Sequence, residues 1–167
     1  EIKNPNNGIE AKIFIKLNNI SNYKIIDKLY EASQAGVKIK MIVRGICCLV
    51  PGIKGISENI EVISIIDKFL EHPRVYIFSN LGDSIVYLSS SDLMTRSFDN
   101  RVEVTFPVYD NKLKNQIIDI FNISWNDNVK SRRINRINKN EFVQKSEKNY
   151  RSQWEIYEYF KKGLKKG

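Results

Sequence analysis

The chain has a single histidine, His72, and it opens the segment HPRVYIFSNLGDSIVYLSSSDLMTRSFDNRVEV. The first 110 residues hold nine lysines but only four arginines, Arg44, Arg74, Arg96 and Arg101, and three of the four lie in that segment. A guanidinium presents a planar fork of donors that fits two phosphate oxygens at once, whereas an ammonium is a point charge. In a chain whose default cation is lysine, arginines gathered around one imidazole read as a site for phosphoryl groups.

Spacing adds detail. His72 and Arg74 are two residues apart at the start of an expected strand, so they share a face and can meet one phosphoryl group. There the imidazole would serve as nucleophile or acid near neutral pH, and the guanidinium would stabilise equatorial charge. A surface histidine without a catalytic role fits the same pattern equally well. Ser89, Ser90 and Ser91 offer hydroxyls and successive backbone amides, which suits an anion-binding turn and an ordinary structural turn alike. Glu103, two residues after Arg101, fits either a brace for the arginine or imidazole or a simple cross-strand ion pair. Arg44 ends a strand and is followed by Gly45, a location where ligands of open α/β sheets collect. Cys47 and Cys48 are adjacent, so they cannot staple distant segments and read as small packed residues in a reducing compartment. No cluster with metal-ligand spacing is present in the sequence.

The elements that must position these residues follow from periodicity. After a turn-rich lead-in (1–8), residues 11–17 alternate as a strand. A helix over 22–35 is closed by Gly36, and 37–43 forms the next strand, giving a β-α-β unit. Beyond a Gly/Pro-rich loop (44–55), strands are expected at 60–66, 73–78, 85–89 and 101–108, with a helical turn at 67–71 and a loop at 90–100. A helix covers 111–122, a basic irregular arm with a short strand covers 124–148, and a terminal helix lies within 150–165. In that helix Trp154, Tyr157 and Phe160 or Lys161 are spaced to dock on the body. The whole of 1–167 is expected to be a single α/β domain, a mixed sheet flanked by helices. Its length suffices to bury about 70% of the unfolded surface.

Hydrophobic residues make up 42% and charged residues 28%, as in ordinary globular proteins, and no apolar run is long enough to cross a bilayer. The net charge of +8 is uneven: residues 1–110 carry 13 basic and 13 acidic side chains, and 111–167 carry 14 and 6. The excess reads either as a solvated basic surface or as an electrostatic funnel for a polyanion, weakened by salt. The chain starts at Glu1 without methionine and is expected to be cut from something longer.

The 72–103 segment resembles the second half-motif of the phospholipase D superfamily, H-x-K, then a strand, then a G-S-x-N turn. Here the matching residues are His72, Arg74 and Ser89-Ser90-Ser91-Asp92. VRGICCLVPGIKGISENI, FLEHPRVY, VYLSSSDLMTR and NRVEVTFPV, with LYEASQAGVKI, together resemble the carboxyl-terminal phospholipase D-like domain of bacterial polyphosphate kinases, over roughly residues 8–165. The resemblance implies a four-domain enzyme that moves the terminal phosphoryl of ATP reversibly onto polyphosphate through a phosphohistidine. That histidine belongs to the other phospholipase D-like domain, absent from this sequence, so the 167 residues alone are expected to be inactive. Arg44 and His72 fall on ATP- and phosphate-contacting positions, with His72 as acid or electrostatic partner. Arg101 matches a further basic position, and Arg74 and Lys16 are additional candidates.

The implied cofactor is Mg2+, arriving with ATP and bound mainly outside this piece. Implied partners are ATP, ADP, polyphosphate and the remaining domains, in a homo-oligomer that binds no nucleic acid. The implied setting is the cytoplasm, with or without membrane association. Three departures from the superfamily pattern, Arg74 for lysine, Asp92 for asparagine and Ser79 for aspartate, argue against phosphodiester hydrolysis and leave phosphate binding intact. Two other readings remain. One is a phospholipase D-like nuclease completed by homodimerisation, and the other is a noncatalytic module whose basic arm grips a polyanion.

Overall fold

In the computed structural model of the chain, which describes residues 1–5, 10–137, 140–143 and 148–164, the β-α-β unit forms where the periodicity puts it. β1 runs Lys12–Leu17, α1 Tyr23–Gln34 and β2 Lys38–Val43. The two strands pair in parallel, from Lys12 opposite Lys38 to Leu17 opposite Val43. Asn22 caps α1 by accepting the Ile25 backbone N–H at 3.2 Å, satisfying a donor that has no partner within the helix. Gly36 leaves the helix at φ +91°, a left-handed conformation that glycine takes without a Cβ penalty.

Five further strands complete the sheet: β3 (Ile60–Ile65), β4 (Val75–Phe78), β5 (Ile85–Ser89), β6 (Thr105–Pro107) and β7 (Ser131–Ile134). Their order is β6-β5-β4-β1-β2-β3-β7. β1, β2 and β3 are parallel, and every other pairing is antiparallel. The mixed sheet flanked by helices is therefore as expected. The remaining helices are α2 (Thr95–Asp99), α3 (Asn111–Trp125) and α4 (Ser152–Leu164).

The central strands are buried on both faces, as parallel strands covered by helices must be. Ile13, Ile15, Met41 and Val43 pack toward Ile26 and Leu29 of α1. On the other face, Ile42, Ile63, Ile65 and Ile77 pack with Phe121 of α3, and Phe14 stacks on Phe121 with ring centroids 5.2 Å apart. Each such side chain contributes about 1.5–3 kcal/mol on burial. The result is a close-packed platform that holds the strand ends rigidly.

Four expectations need correction. Residues 67–71 are irregular rather than helical, because they are clasped from α4: Arg151 pairs with Asp67 through two bonds of 2.8 and 2.5 Å, and Gln153 grips both backbone groups of Phe69. The strand expected over 101–108 shortens to β6, with Val102 99% exposed. The 90–100 loop contains α2. The terminal helix docks by Ser152, Ile156 and Tyr159, whose hydroxyl donates to Asp119 of α3 at 2.9 Å, while Trp154, Tyr157 and Phe160 face outward. Within the basic arm α3 runs on to Trp125, and β7 supplies the short strand; 138–139 and 144–147 lie outside the described residues, as do 6–9 of the lead-in and 165 of the terminal segment.

Candidate phosphate site

The parallel strands β1 and β2 end side by side, and β4, running the other way, begins opposite Lys16 with Val75. β5 ends beside that start, the Ser89 N–H donating to the Arg74 carbonyl at 3.0 Å. Asn18, Asn19, Arg44, His72, Arg74 and Asp92 therefore emerge at one edge of the sheet, outside the carboxyl ends of the parallel strands, where ligands of such sheets bind.

Asp92 ties this edge together. It accepts the backbone N–H groups of Asn18 (2.9 Å) and Asn19 (3.2 Å), the Asn19 side-chain amide (2.9 Å), and Arg74 through Nε (3.2 Å) and Nη2 (3.1 Å). Burial opposes ionisation of this carboxyl, yet the bonds from Arg74, Asn19 and Asn18 outweigh it and hold the group down to about 2. Arg74 and Asp92, two of the departures noted in the sequence, are thus each other's partner. Ser79, the third departure, sits at the far end of β4. There its hydroxyl accepts the Lys12 N–H and donates to Glu1, so it takes no part in this edge.

Arg74 also reaches His72. Its Nη1 lies 2.8 Å from Nδ1 and its Nη2 3.1 Å from Nε2. A guanidinium only donates and a neutral imidazole has one acceptor nitrogen, so one contact is a hydrogen bond and the other is close packing. His72 itself is exposed. Arg74 is therefore committed to Asp92 and His72 rather than open to a ligand.

Arg44 is held differently. Its Nε donates to Asn18 Oδ1 at 2.7 Å, and among the described residues no carboxylate pairs with its guanidinium. Lys16 is buried and bonded to Glu71 at 2.5 Å and to Ser124 of α3 at 3.0 Å. Arg101 is half exposed and lies 4.0 Å from Glu103, the neighbour on its own segment, so no cross-strand pair forms. Of the four cationic candidates, Arg44 alone carries an uncompensated charge. It lines a narrow cleft with Lys16, Asn18, Glu71 and Pro73, the last two flanking His72. The connection Arg44–Asn18–Asp92–Arg74–His72 is continuous in hydrogen bonds and close contacts.

The serine turn does not bind anions by its amides. The N–H groups of Ser89, Ser90 and Ser91 donate to Arg74 O, Val104 O and Ser89 Oγ, and the hydroxyls engage Thr105, Glu103 and the Asp92 carbonyl. Both cysteines are free; burial pushes the Cys47 thiol up to about 11, which suits a packed residue, whereas Cys48 is exposed rather than packed as expected. A larger cleft, about 940 Å3, opens elsewhere, between α3 and α4 around Asp119, Tyr150, Glu155 and Tyr159. It is lined by no arginine or histidine. Sequence reasoning missed Asn18 and Asn19. The signal was an Asn-Asn pair placed directly after a strand that ends on the ligand-binding edge.

The profile of the polyphosphate kinase C-terminal domain 2 matches residues 1–153. The polyphosphate kinase of Vibrio vulnificus strain YJ016 is 54% identical over 162 residues, covering 96% of this chain and 23% of that protein. The polyphosphate kinase of Escherichia coli K12 is 46% identical over 162 residues, 96% of this chain and 24% of that protein. The chain thus spans about a quarter of the length of these relatives. The crystal structure of polyphosphate kinase from Porphyromonas gingivalis superposes with a TM-score of 0.96 at 41% identity, over 99% of this chain and 26% of that one. Nuc from Salmonella typhimurium, a phospholipase D family member, superposes with a TM-score of 0.57 at 17% identity, over 74% of this chain and 82% of that one, a likeness of fold alone.

Proposed function

Since the chain belongs to the polyphosphate kinase family, through its C-terminal domain, we propose that it forms one wall of a site that moves the terminal phosphoryl of ATP reversibly onto polyphosphate. The observation that carries this reading is Arg44, a guanidinium on the ligand-binding edge, gripped by Nε with its forked end uncompensated. Such a fork suits two oxygens of a triphosphate. Its reaction needs a nucleophile in line with the leaving oxygen and cations around the equatorial oxygens. The attacking imidazole, the one phosphorylated during turnover, comes from another part of the full-length protein. As its nitrogen bonds to the γ-phosphorus, the bond to the bridging oxygen breaks and ADP leaves with the electron pair. His72 meets the developing charge on the opposite side, as acid or electrostatic partner, and Arg101 lies further out as a secondary cation.

Among the described residues no three His, Cys, Asp or Glu side chains converge as a metal cage. Magnesium would arrive on the phosphate oxygens of ATP, held mainly by other segments of the full-length protein. Among the same residues no helix is long and apolar enough to cross a membrane.

Kinetics of the full-length polypeptide test the assignment. His72→Gln should lower kcat for polyphosphate synthesis by about a hundredfold, the usual contribution of a positioned acid. Turnover equal to that of the unaltered protein would remove His72 from the reaction. The 167-residue chain alone should make no polyphosphate from ATP. Hydrolysis of a phosphodiester by that chain, lost on His72→Ala, would instead favour the nuclease reading.

A further inference from the structure

Asn18 is only 2% exposed, yet among the described residues its side-chain nitrogen Nδ2 is buried without a hydrogen-bond partner. The amide orientation is not interchangeable. Oδ1 accepts the Arg44 Nε–H at 2.7 Å, and an N–H donor cannot be faced by a second donor, so Nδ2 must point elsewhere. A buried donor left unmade is costly, and native structures keep such groups rarely and for a reason. The residue also lines the narrow cleft beside Arg44, Lys16 and Glu71. The free volume of that cleft, about 10 Å3, is the size of one water or one ligand oxygen.

We propose that Asn18 is a second phosphate-binding residue of this site, holding the Arg44 guanidinium through Oδ1 and donating Nδ2–H to an oxygen of the phosphoryl chain that Arg44 receives. The inference rests on the reading of Arg44 given above and adds to it a neutral donor. Three features make Asn18 suited to the task. The side chain is held by the β1 end and cannot follow the ligand, its backbone N–H is anchored to Asp92 at 2.9 Å, and its acceptor atom is already occupied by the neighbouring cation. A ligand oxygen entering the cleft thus meets a preorganised donor beside a cation, which suits an oxyanion. The ligand class is an inorganic or nucleoside triphosphate.

The test uses the full-length polypeptide, with ATP and tripolyphosphate titrated separately. Asn18→Leu keeps the shape but removes donor and acceptor without adding charge, and Asn18→Ser removes most of both in a smaller side chain. Each should weaken binding of either ligand by about tenfold, with the thermal midpoint following the substitution only in Asn18→Ser. The same pair is then made in an Arg44→Lys background, where Nε no longer exists. A several-fold loss that persists there shows that Asn18 touches the ligand itself. A loss that vanishes in that background, or a liganded structure with water rather than phosphate oxygen at Nδ2, would overturn the direct contact. Unaltered binding in both single variants would overturn it outright. If Arg44→Lys and Arg44→Ala themselves leave binding unchanged, the failure lies with the parent reading instead. Should Asn18→Ser fail to fold, Asn18→Leu in both backgrounds still decides.

Discussion

The end of β2 and the start of β4 each bring an arginine to the same edge of the sheet, and the two side chains live in opposite circumstances. Arg74 is nearly buried and locked against Asp92, its charge cancelled within the protein. Arg44 is held by a neutral amide and keeps its charge for something else. Both would look alike to any reading based on residue type. What separates them is the counter-charge: a cation that the fold has already matched stabilises the fold, and one it leaves unmatched is available to a ligand. The same test demotes Lys16, matched by Glu71 and covered by Ser124, to a wall of the cleft.

The largest effect should follow from unmatching Arg74. Asp92→Asn leaves a buried guanidinium without its counter-ion and should cost about 3 kcal/mol. Denaturant midpoints would measure it, and Arg74→Met in the same chain, which removes the unpaired charge, should return part of the loss. A cost below about 1 kcal/mol would mean that the pair behaves like a surface bridge and that the contrast with Arg44 is false. Arg44→Lys should give the mirror image. Affinity for ATP should fall about tenfold, the fork being lost while charge is kept, and stability should barely move. Equal losses of stability in the two arginine variants would erase the distinction.

The smallest effect is a pH dependence. The Asp92 carboxyl lies near 2 in the folded chain against its ordinary 3.8. The unfolded chain therefore takes up this proton first as pH falls. The stabilisation, on the order of 1–2 kcal/mol, is complete above about pH 4 and disappears as pH drops through 2. Stability curves recorded over that window should slope in the unaltered protein and flatten in Asp92→Asn. An unchanged slope would assign the acid sensitivity to other carboxylates.

The sheet was legible because its strands are short apolar runs between turn signals. β1, β2 and β5 begin and end within about one residue of the alternation that announces them. Arg44 was legible as well, since a strand-ending arginine before Gly45 is a local pattern. A Cβ on Gly45 would lie 2.6 Å from Asn19 Oδ1, so the glycine admits the asparagine pair beside it. What stayed hidden depends on distant partners. Residues 67–71 look helical by composition, yet their shape is dictated by Arg151 and Gln153, far along the chain. The aromatic spacing of α4 suggested a docking stripe, but its contact with α3 is partly polar, and hydropathy cannot single out Tyr159 bonded to Asp119. The pairing of Arg74 with Asp92 was missed for the same reason, eighteen residues separating its two halves.

The clasp at Asp67 and Phe69 has a consequence for the imidazole nearby. Pro73 and Glu71 border His72, and Glu71 accepts from Gln153 at 2.9 Å as well as from Lys16 at 2.5 Å. The carboxyl-terminal helix is thus a tether for the histidine-bearing loop as well as a cover for α3. A polypeptide cut just ahead of Arg151 would keep every strand of the sheet and leave that loop to the holds of Lys16 on Glu71 and Arg74 on His72.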